Sequence, residues 1–152
     1  VNTKYDIRFI FKNGFEIKGD KVILSMREES TVKQRENYVR EQYRILLKAE
    51  IERLLPKWER LTELYCDSWQ TKYMLTRWGT CNTEKKKLWF NLQLAQKPIE
   101  CLEYVILHEL LHLKERTHNS VFISYMDLYM KDWRAVRKEL NDLRLDYYNT
   151  VE

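Results

Sequence analysis

An α+β fold is predicted from three features of the chain. Short segments near the amino end alternate apolar and polar residues. A long central stretch repeats apolar residues at helical spacing, and an aromatic-rich strand segment lies between that stretch and further helical patterns. Gly (3) and Pro (2) are scarce in 152 residues, so regular elements must account for most of the length. With 44% hydrophobic and 33% charged residues the composition suits one globular core, and residues 1–152 are expected to form a single domain.

The elements follow in chain order. Tyr5, Ile7, Phe9 and Phe11 alternate with Asp6, Arg8 and Lys12, which gives a strand with one apolar face. Asn13-Gly14 is a dipeptide favoured in two-residue hairpins, so Phe15-Glu16-Ile17 is expected to run back from it, with Val22-Ile23-Leu24 as a third strand. Residues 1–30 therefore read as short strands. From Ser30 to about Leu55 the pattern is helical, with Val32, Val39, Leu46, Ala49, Ile51 and Leu54 as the apolar stripe. Ser30 or Thr31 can cap its start, and Pro56 is expected to end or kink it before a shorter helical piece through Tyr65.

Residues 69–95 read as a β-hairpin, a small antiparallel sheet. Tyr73, Leu75 and the run Leu88-Trp89-Phe90-Asn91-Leu92-Gln93-Leu94 have strand composition, and the polar stretch from Asn82 to Lys87 is turn-like. Pro98 suits a first helical position, opening an apolar helix from Ile99 to about Lys114. Asn119 and Ser120 can cap a helix reaching Met130, and residues 132–147 form a last amphipathic one. The carboxy-terminal part is thus helical.

Bulk properties exclude several function classes. The net charge of +4 arises from 27 basic and 23 acidic residues spread along the chain, which permits a nucleic-acid contact without indicating one. The longest basic run, Lys85-Lys86-Lys87, falls in the expected turn and reads as a solvated tip. Cys66, Cys81 and Cys101 are odd in number and lack CxxC spacing, so neither a disulfide framework nor a cysteine zinc knuckle is indicated. No apolar run approaches the roughly 18 residues of a membrane span, and no signal-peptide pattern is present. A cytoplasmic setting without membrane contact is the expectation; nothing in the sequence speaks to oligomeric state.

The informative segment is His108-Glu109-Leu110-Leu111-His112, an HExxH late in a predicted helix. Four residues make about one turn, so both imidazoles lie on one face and can grip one zinc ion. Glu109, about a hundred degrees further round, is suited to take a proton from water at the metal's open position. Catalytic zinc takes three protein ligands, and His118 is the expected third once the helix ends and the chain turns back. All three histidines of the chain fall in this window.

Two related patterns fit less well. The spacing of the histidines equals that of HExxHxxGxxH, but Glu115 stands where that signature needs Gly. The two ExxH pairs, Glu109 with His112 and Glu115 with His118, are contiguous rather than on separate helices as in dimetal bundles. Upstream, Arg77-Trp78-Gly79-Thr80-Cys81 leads out of a predicted strand. Gly79 there marks a close backbone approach or a bulge, and Trp78 a core anchor. A strand beside the metal can also pair with an extended peptide, which makes Arg77, Trp78, Gly79 and Asn91 the candidate substrate-binding residues. No residue near the motif can be assigned as an oxyanion stabiliser; Arg77 and Tyr125 are conceivable in that role, but surface or core packing is the reading favoured for both.

Taken in order, Arg77-Trp78-Gly79-Thr80-Cys81, the strand holding Asn91, His108-Glu109-Leu110-Leu111-His112-Leu113, and His118-Asn119-Ser120-Val121-Phe122 resemble the YgjP-like metallopeptidase family, zincins related to the SprT-like peptidases. Asp132-Trp133-Arg134 is similar to the start of that family's closing helix, and the resemblance covers roughly residues 31–146. Thr80 stands where the family usually has Ser, and Asn119 where Ser often follows the histidine. The resemblance implies a zincin-like α+β fold with the active-site helix beside the small sheet, zinc on His108, His112 and His118, Glu109 as base, and a peptide or protein substrate. Two rival readings stay open. One is a zinc-stabilised binding module without turnover, for which Glu115 or Cys81 would have to complete a closed site. The other is a SprT-like, nucleic-acid-associated protease using Arg134, Arg137, Lys138 and Arg144; Glu139, Asp142 and Asp146 on the same helix offset that charge.

Overall fold

The structure, a computed structural model, describes the backbone of residues 4–9, 14–18, 21–26 and 29–151 and the side chains of residues 29–142. Three amino-terminal strands, β1 (Lys4–Phe9), β2 (Gly14–Lys18) and β3 (Lys21–Met26), form a sheet in the order β1-β3-β2. The hairpin expected at Asn13-Gly14 is replaced by a different pairing: β1 runs parallel to β3, and β2 pairs antiparallel with β3. The register Lys18↔Lys21 leaves only positions 19 and 20 between the paired ends. In sequence Gly19-Asp20 is a dipeptide of the kind favoured in two-residue hairpins, and it falls between segments already adjacent in the chain; both residues lie outside the described ones. Phe11 and Asn13 lie outside the described residues.

Helix α1 (Val32–Thr62) starts at a capping box. The Thr31 side chain accepts from the Gln34 amide at 3.1 Å, and the Thr31 amide donates to the Gln34 side chain at 2.9 Å. Contrary to expectation α1 runs through Pro56 and ends at Glu63, which takes a left-handed conformation (φ 58°). An internal proline costs about 3 kcal/mol. Ile51, Leu54, Leu55 and Trp58 bury one face on both sides of it, each contributing about 1.5–3 kcal/mol, so packing outweighs the break. The buried stripe is Val39, Tyr43, Leu47, Ile51, Leu54, Leu55 and Trp58. Val32, Leu46 and Ala49, expected in it, are exposed. The i, i+4 ladder through Tyr43 and Leu47 competes with them in sequence, and docking against the 92–96 segment after β6 and against α2 selects it.

The second sheet contains β4 (Ser68–Lys72), β5 (Gly79–Asn82) and β6 (Lys87–Asn91) in the order β4-β6-β5. The expected hairpin is present as β5-β6, with the Asn82 side chain accepting from the Glu84 and Lys85 amides in the turn at 3.2 and 3.0 Å. The sheet is mixed rather than wholly antiparallel, because β4 lies parallel to β6 on its other edge. Tyr73 and Leu75 fall in the crossing between β4 and β5, not in a strand. Alternation in β6 sends Leu88 and Phe90 into the core. Residues Leu92–Gln96 leave β6 as a short 3-10 turn, correcting the strand expected to reach residue 95.

Helix α2 (Ile99–Leu111) is apolar nearly all round and touches α1, β5, β6 and two later helices, α3 (Ser120–Tyr129) and α4 (Trp133–Val151). Pro98 precedes it as N-cap rather than occupying its first turn. The Asn119 side chain accepts from the Phe122 amide at 2.9 Å and caps α3. Trp133, Val136 and Leu140 of α4 are buried at spacings of three and four. Among the described residues no helix is long and apolar enough to cross a membrane. The fold is α+β with a helical carboxy-terminal part, as the sequence predicts.

The register of α1 is directly testable. Leu47→Ala should destabilise the protein by about 2–5 kcal/mol in urea unfolding. Val32→Ala, 65% exposed, should stay within about 0.5 kcal/mol of wild type. Equal effects would place the wrong face in the core.

Candidate metal centre and its cleft

Three ligand-bearing rings converge where α2 ends. His108 projects from the last turn of α2 and His112 stands at its C-cap. The Leu113 and Lys114 amides then donate back to Leu110 and Leu111, tightening the chain into a turn earlier than the expected end near Lys114. That reversal returns His118 to the same place. One ligand atom from each of His108, His112 and His118 lies within 4.8 Å of the others, and His112 and His118 bring their Nε2 atoms to 3.0 Å. These residues could hold a metal ion. Among the described residues neither Glu115 nor Cys81 joins the group.

The surroundings fix the rings. His112 Nδ1 lies 3.0 Å from the Glu115 carbonyl; as donor to it, the ring leaves Nε2 with its lone pair free for a metal. The Glu115 carboxylate is engaged elsewhere, accepting from the Asn119 amide group at 3.0 Å. Phe122, buried on α3, backs all three imidazoles with ring centroids at 5.1, 4.9 and 5.0 Å from His108, His112 and His118. Burial, then the two neighbouring histidines, holds the His118 pKa below its ordinary value, which favours the neutral form.

Glu109 is only 5% exposed, and its Oε1 lies 3.2 Å from His108 Nδ1. It is covered by β5 at Gly79. A Cβ built on Gly79 would sit 2.8 Å from Val105 Cγ1, 3.0 Å from Glu109 Cγ and 3.2 Å from the Trp89 carbonyl. The close backbone approach expected of this glycine is therefore the contact of strand with active-site helix. Asn91 acts on the same stretch from below. Its side-chain amide donates to the Met74 and Arg77 carbonyls at 2.9 and 2.7 Å, and its oxygen accepts from the Gln93 amide at 3.0 Å. Asn91 is thus buried and committed to holding the 74–77 loop. Trp78 is a buried core residue, also as expected, and its ring edges the cleft.

The cleft has a volume of about 320 Å³ and runs past His108, Glu109 and His118. Arg77 and Gly79 line it on the sheet side, and Arg137 and Asn141 from α4. Tyr104 lies on its floor, one turn before His108, with the two ring centroids 5.7 Å apart. Among the described residues its hydroxyl makes no hydrogen bond, and burial pushes its pKa up to about 12. Tyr125 stacks on Tyr129 beneath the Lys114 ammonium and does not line the cleft, in keeping with the packing role favoured for it. Tyr104 has a sequence signal that was available, its i, i+4 relation to His108. Arg137 has none, because its place depends on how α4 docks. Burial pushes the thiols of Cys81 and Cys101 up to about 12 and that of Cys66 to about 11, so all three stay protonated near neutrality.

A helix carrying two histidines that could hold a metal, a third on the returning chain and an adjoining sheet are features that suit a metallopeptidase-type domain. The model of one family, "YgjP-like, metallopeptidase domain", matches residues 2–143, and the chain belongs to this family. The match takes in the amino-terminal strands as well as the stretch from residue 31 onward that carries the motifs. Comparison with curated proteins yields no significant match.

Gly79→Ala should destabilise the protein by about 1–3 kcal/mol, because Val105 and Glu109 must yield to the new methyl group. Chemical denaturation measures the loss, and an unchanged midpoint would mean that β5 stands further from α2.

Proposed function

We propose that the chain hydrolyses peptide bonds with a zinc ion held by His108, His112 and His118 and with Glu109 as general base. The observation that carries this reading is the convergence of three imidazoles beside a buried carboxylate on the floor of an open cleft. The donor set suits zinc. Zinc–nitrogen bonds of about 2.0–2.1 Å separate two ligands of a tetrahedron by about 3.3 Å, a spacing between the 3.0 Å closest approach and the 4.8 Å limit of the triad. Bound zinc supplies a Lewis acid and lowers the pKa of its water to about 7.

The remaining chemistry belongs to the chain's own groups. Glu109 takes a proton from the attacking water and returns it to the departing amine. Burial under β5 keeps its carboxylate from bulk solvent and fixes its approach. Tyr104, an unpaired phenol on the cleft floor, donates to the scissile carbonyl oxygen as negative charge develops there. The edge of β5 beside Gly79 offers main-chain groups to an extended substrate.

The rival readings have less support. Glu115 is bound to Asn119 and Cys81 lies outside the triad, so a closed four-ligand site has no evident fourth partner. For a nucleic-acid role, Arg134 pairs with Asp127 at 2.6 Å and Lys138 with Asp142 at 3.4 Å, while the Arg144 side chain lies outside the described residues. Two of the four basic groups on α4 are therefore internally balanced.

Protein purified without added metal should carry about one zinc per chain by elemental analysis, and His118→Ala should lose most of that affinity. Glu109→Gln should keep the metal while cleavage of unfolded casein falls by a factor of about 10²–10⁴. Retained cleavage would remove Glu109 from the base role. Tyr104→Phe should lower kcat by about a hundredfold with zinc content and KM little changed. A loss confined to KM would make Tyr104 a binding group.

A further inference from the structure

Two arginines line the cleft without a carboxylate among the described residues to balance them. Arg77 enters from the loop before β5, where its own carbonyl is pinned by the Asn91 side chain at 2.7 Å. Arg137 enters from α4, its guanidinium resting on the Trp133 ring at 5.0 Å from the centroid. Neither makes an ion pair with a carboxylate among the described residues, whereas Arg134 and Lys138, their neighbours on α4, both do. Among the described residues Glu109 is the one acidic residue lining the cleft, and it is buried. The excess of basic over exposed acidic side chains among these lining residues is therefore local, and the mild +4 charge of the whole chain does not account for it.

From this arrangement we infer that the cleft selects acidic peptide substrates, with Arg77 and Arg137 holding Asp or Glu side chains that flank the scissile bond. The inference rests on the peptidase reading and adds a substrate class to it. Guanidinium is suited to the task, since its planar donors match a carboxylate two bonds at a time. The two groups sit on different elements, so they can address residues on different sides of the bond to be cut. Asn141, also lining the cleft on α4, adds an uncharged donor and acceptor beside Arg137. Anchoring matters as much as charge. The Asn91 bond and the Trp133 ring restrict where each arginine begins, so less side-chain entropy is lost when a carboxylate arrives.

Two measurements test the proposal. In the first, wild-type protein digests a random peptide library, and the cleaved bonds are read by mass spectrometry. In the second, zinc-loaded Glu109→Gln protein is titrated against two matched pools of fluorescein-labelled peptides, one with Asp and Glu at central positions and one with Asn and Gln. Enrichment of Asp and Glu around the cleaved bonds is expected, together with about tenfold tighter binding of the acidic pool. Arg77→Gln and Arg137→Gln, each made in the Glu109→Gln background, should each remove most of that preference. Arg134→Gln should leave it intact. Cleavage without acidic enrichment, or equal binding of both pools, overturns the acidic-substrate inference and leaves the peptidase reading standing. Acid-selective binding that depends on both arginines, with no cleavage of any library member by wild type, supports the inference and sinks the peptidase reading. An acidic preference that survives both arginine substitutions also overturns the inference, since the bound zinc alone would then explain it.

Discussion

At Gly79 no side chain separates β5 from the helix that carries His108 and Glu109, and much of the centre depends on that contact. A methyl group there would meet Val105, Glu109 and the Trp89 carbonyl at once. The strand therefore covers the carboxylate directly with backbone, which a neighbouring side chain could not do as closely. Its position is enforced from two directions. Antiparallel pairing with β6 sets Gly79 opposite Phe90, and the next residue of β6, Asn91, ties down the loop that delivers Arg77 and Trp78. A strand edge, a buried carboxylate and two cleft-lining arginines thus share one fixed reference.

Local chemistry made parts of this arrangement readable from sequence. Thr31 and Asn119 cap the helices they were expected to cap, since a cap is decided within three or four residues. The HExxH spacing places two imidazoles on one face by helix geometry alone, and Gly79 marks a close approach because nothing else tolerates it. The features that escaped are all set by distant partners. Parallel pairing of β4 with β6, and of β1 with β3, leaves no turn signature. The choice of Tyr43 and Leu47 over Leu46 and Ala49 as the inner face of α1 is made by distant elements, the 92–96 segment and α2, against which α1 packs. Pro56 looks like a terminator until the burial of Leu54, Leu55 and Trp58 is weighed against it. Arg137 reaches the cleft only because Trp133, Val136 and Leu140 seat α4 against the core.

Burial and charge oppose one another along α2. Nearly the whole surface of this helix is covered, which suits its Leu, Ile and Val residues and penalises Glu109 and the histidines. The penalty is tolerable because the polar residues gather at one end. His108, Glu109 and His112 sit in the last turn or at the cap, where the cleft admits solvent and where the helix dipole attracts positive charge. The preceding turns, Leu102 through Leu107, remain in the apolar interior apart from Glu103 and Tyr104. Glu103 reaches out to Lys57 at 2.8 Å and Tyr104 opens onto the cleft.

The third histidine, His118, reaches the cluster by a route that needs little help from a metal. A histidine on a free loop would have to be ordered at the moment of binding, at about 1–2 kcal/mol for each residue fixed. Here the return from α2 is already fastened. His112 and the Glu115 carbonyl meet at 3.0 Å, Asn119 spans from the Glu115 carboxylate to the Phe122 amide, and Phe122 seats its ring against all three imidazoles. A metal ion held there would meet donors whose freedom has been spent in folding, so its coordination energy would go into affinity rather than into organising the chain. The same economy explains why His118 can be the most exposed of the three rings without being the least well placed: its position is inherited from α3, through Phe122 and the Asn119 cap, and not from the loop on which it stands.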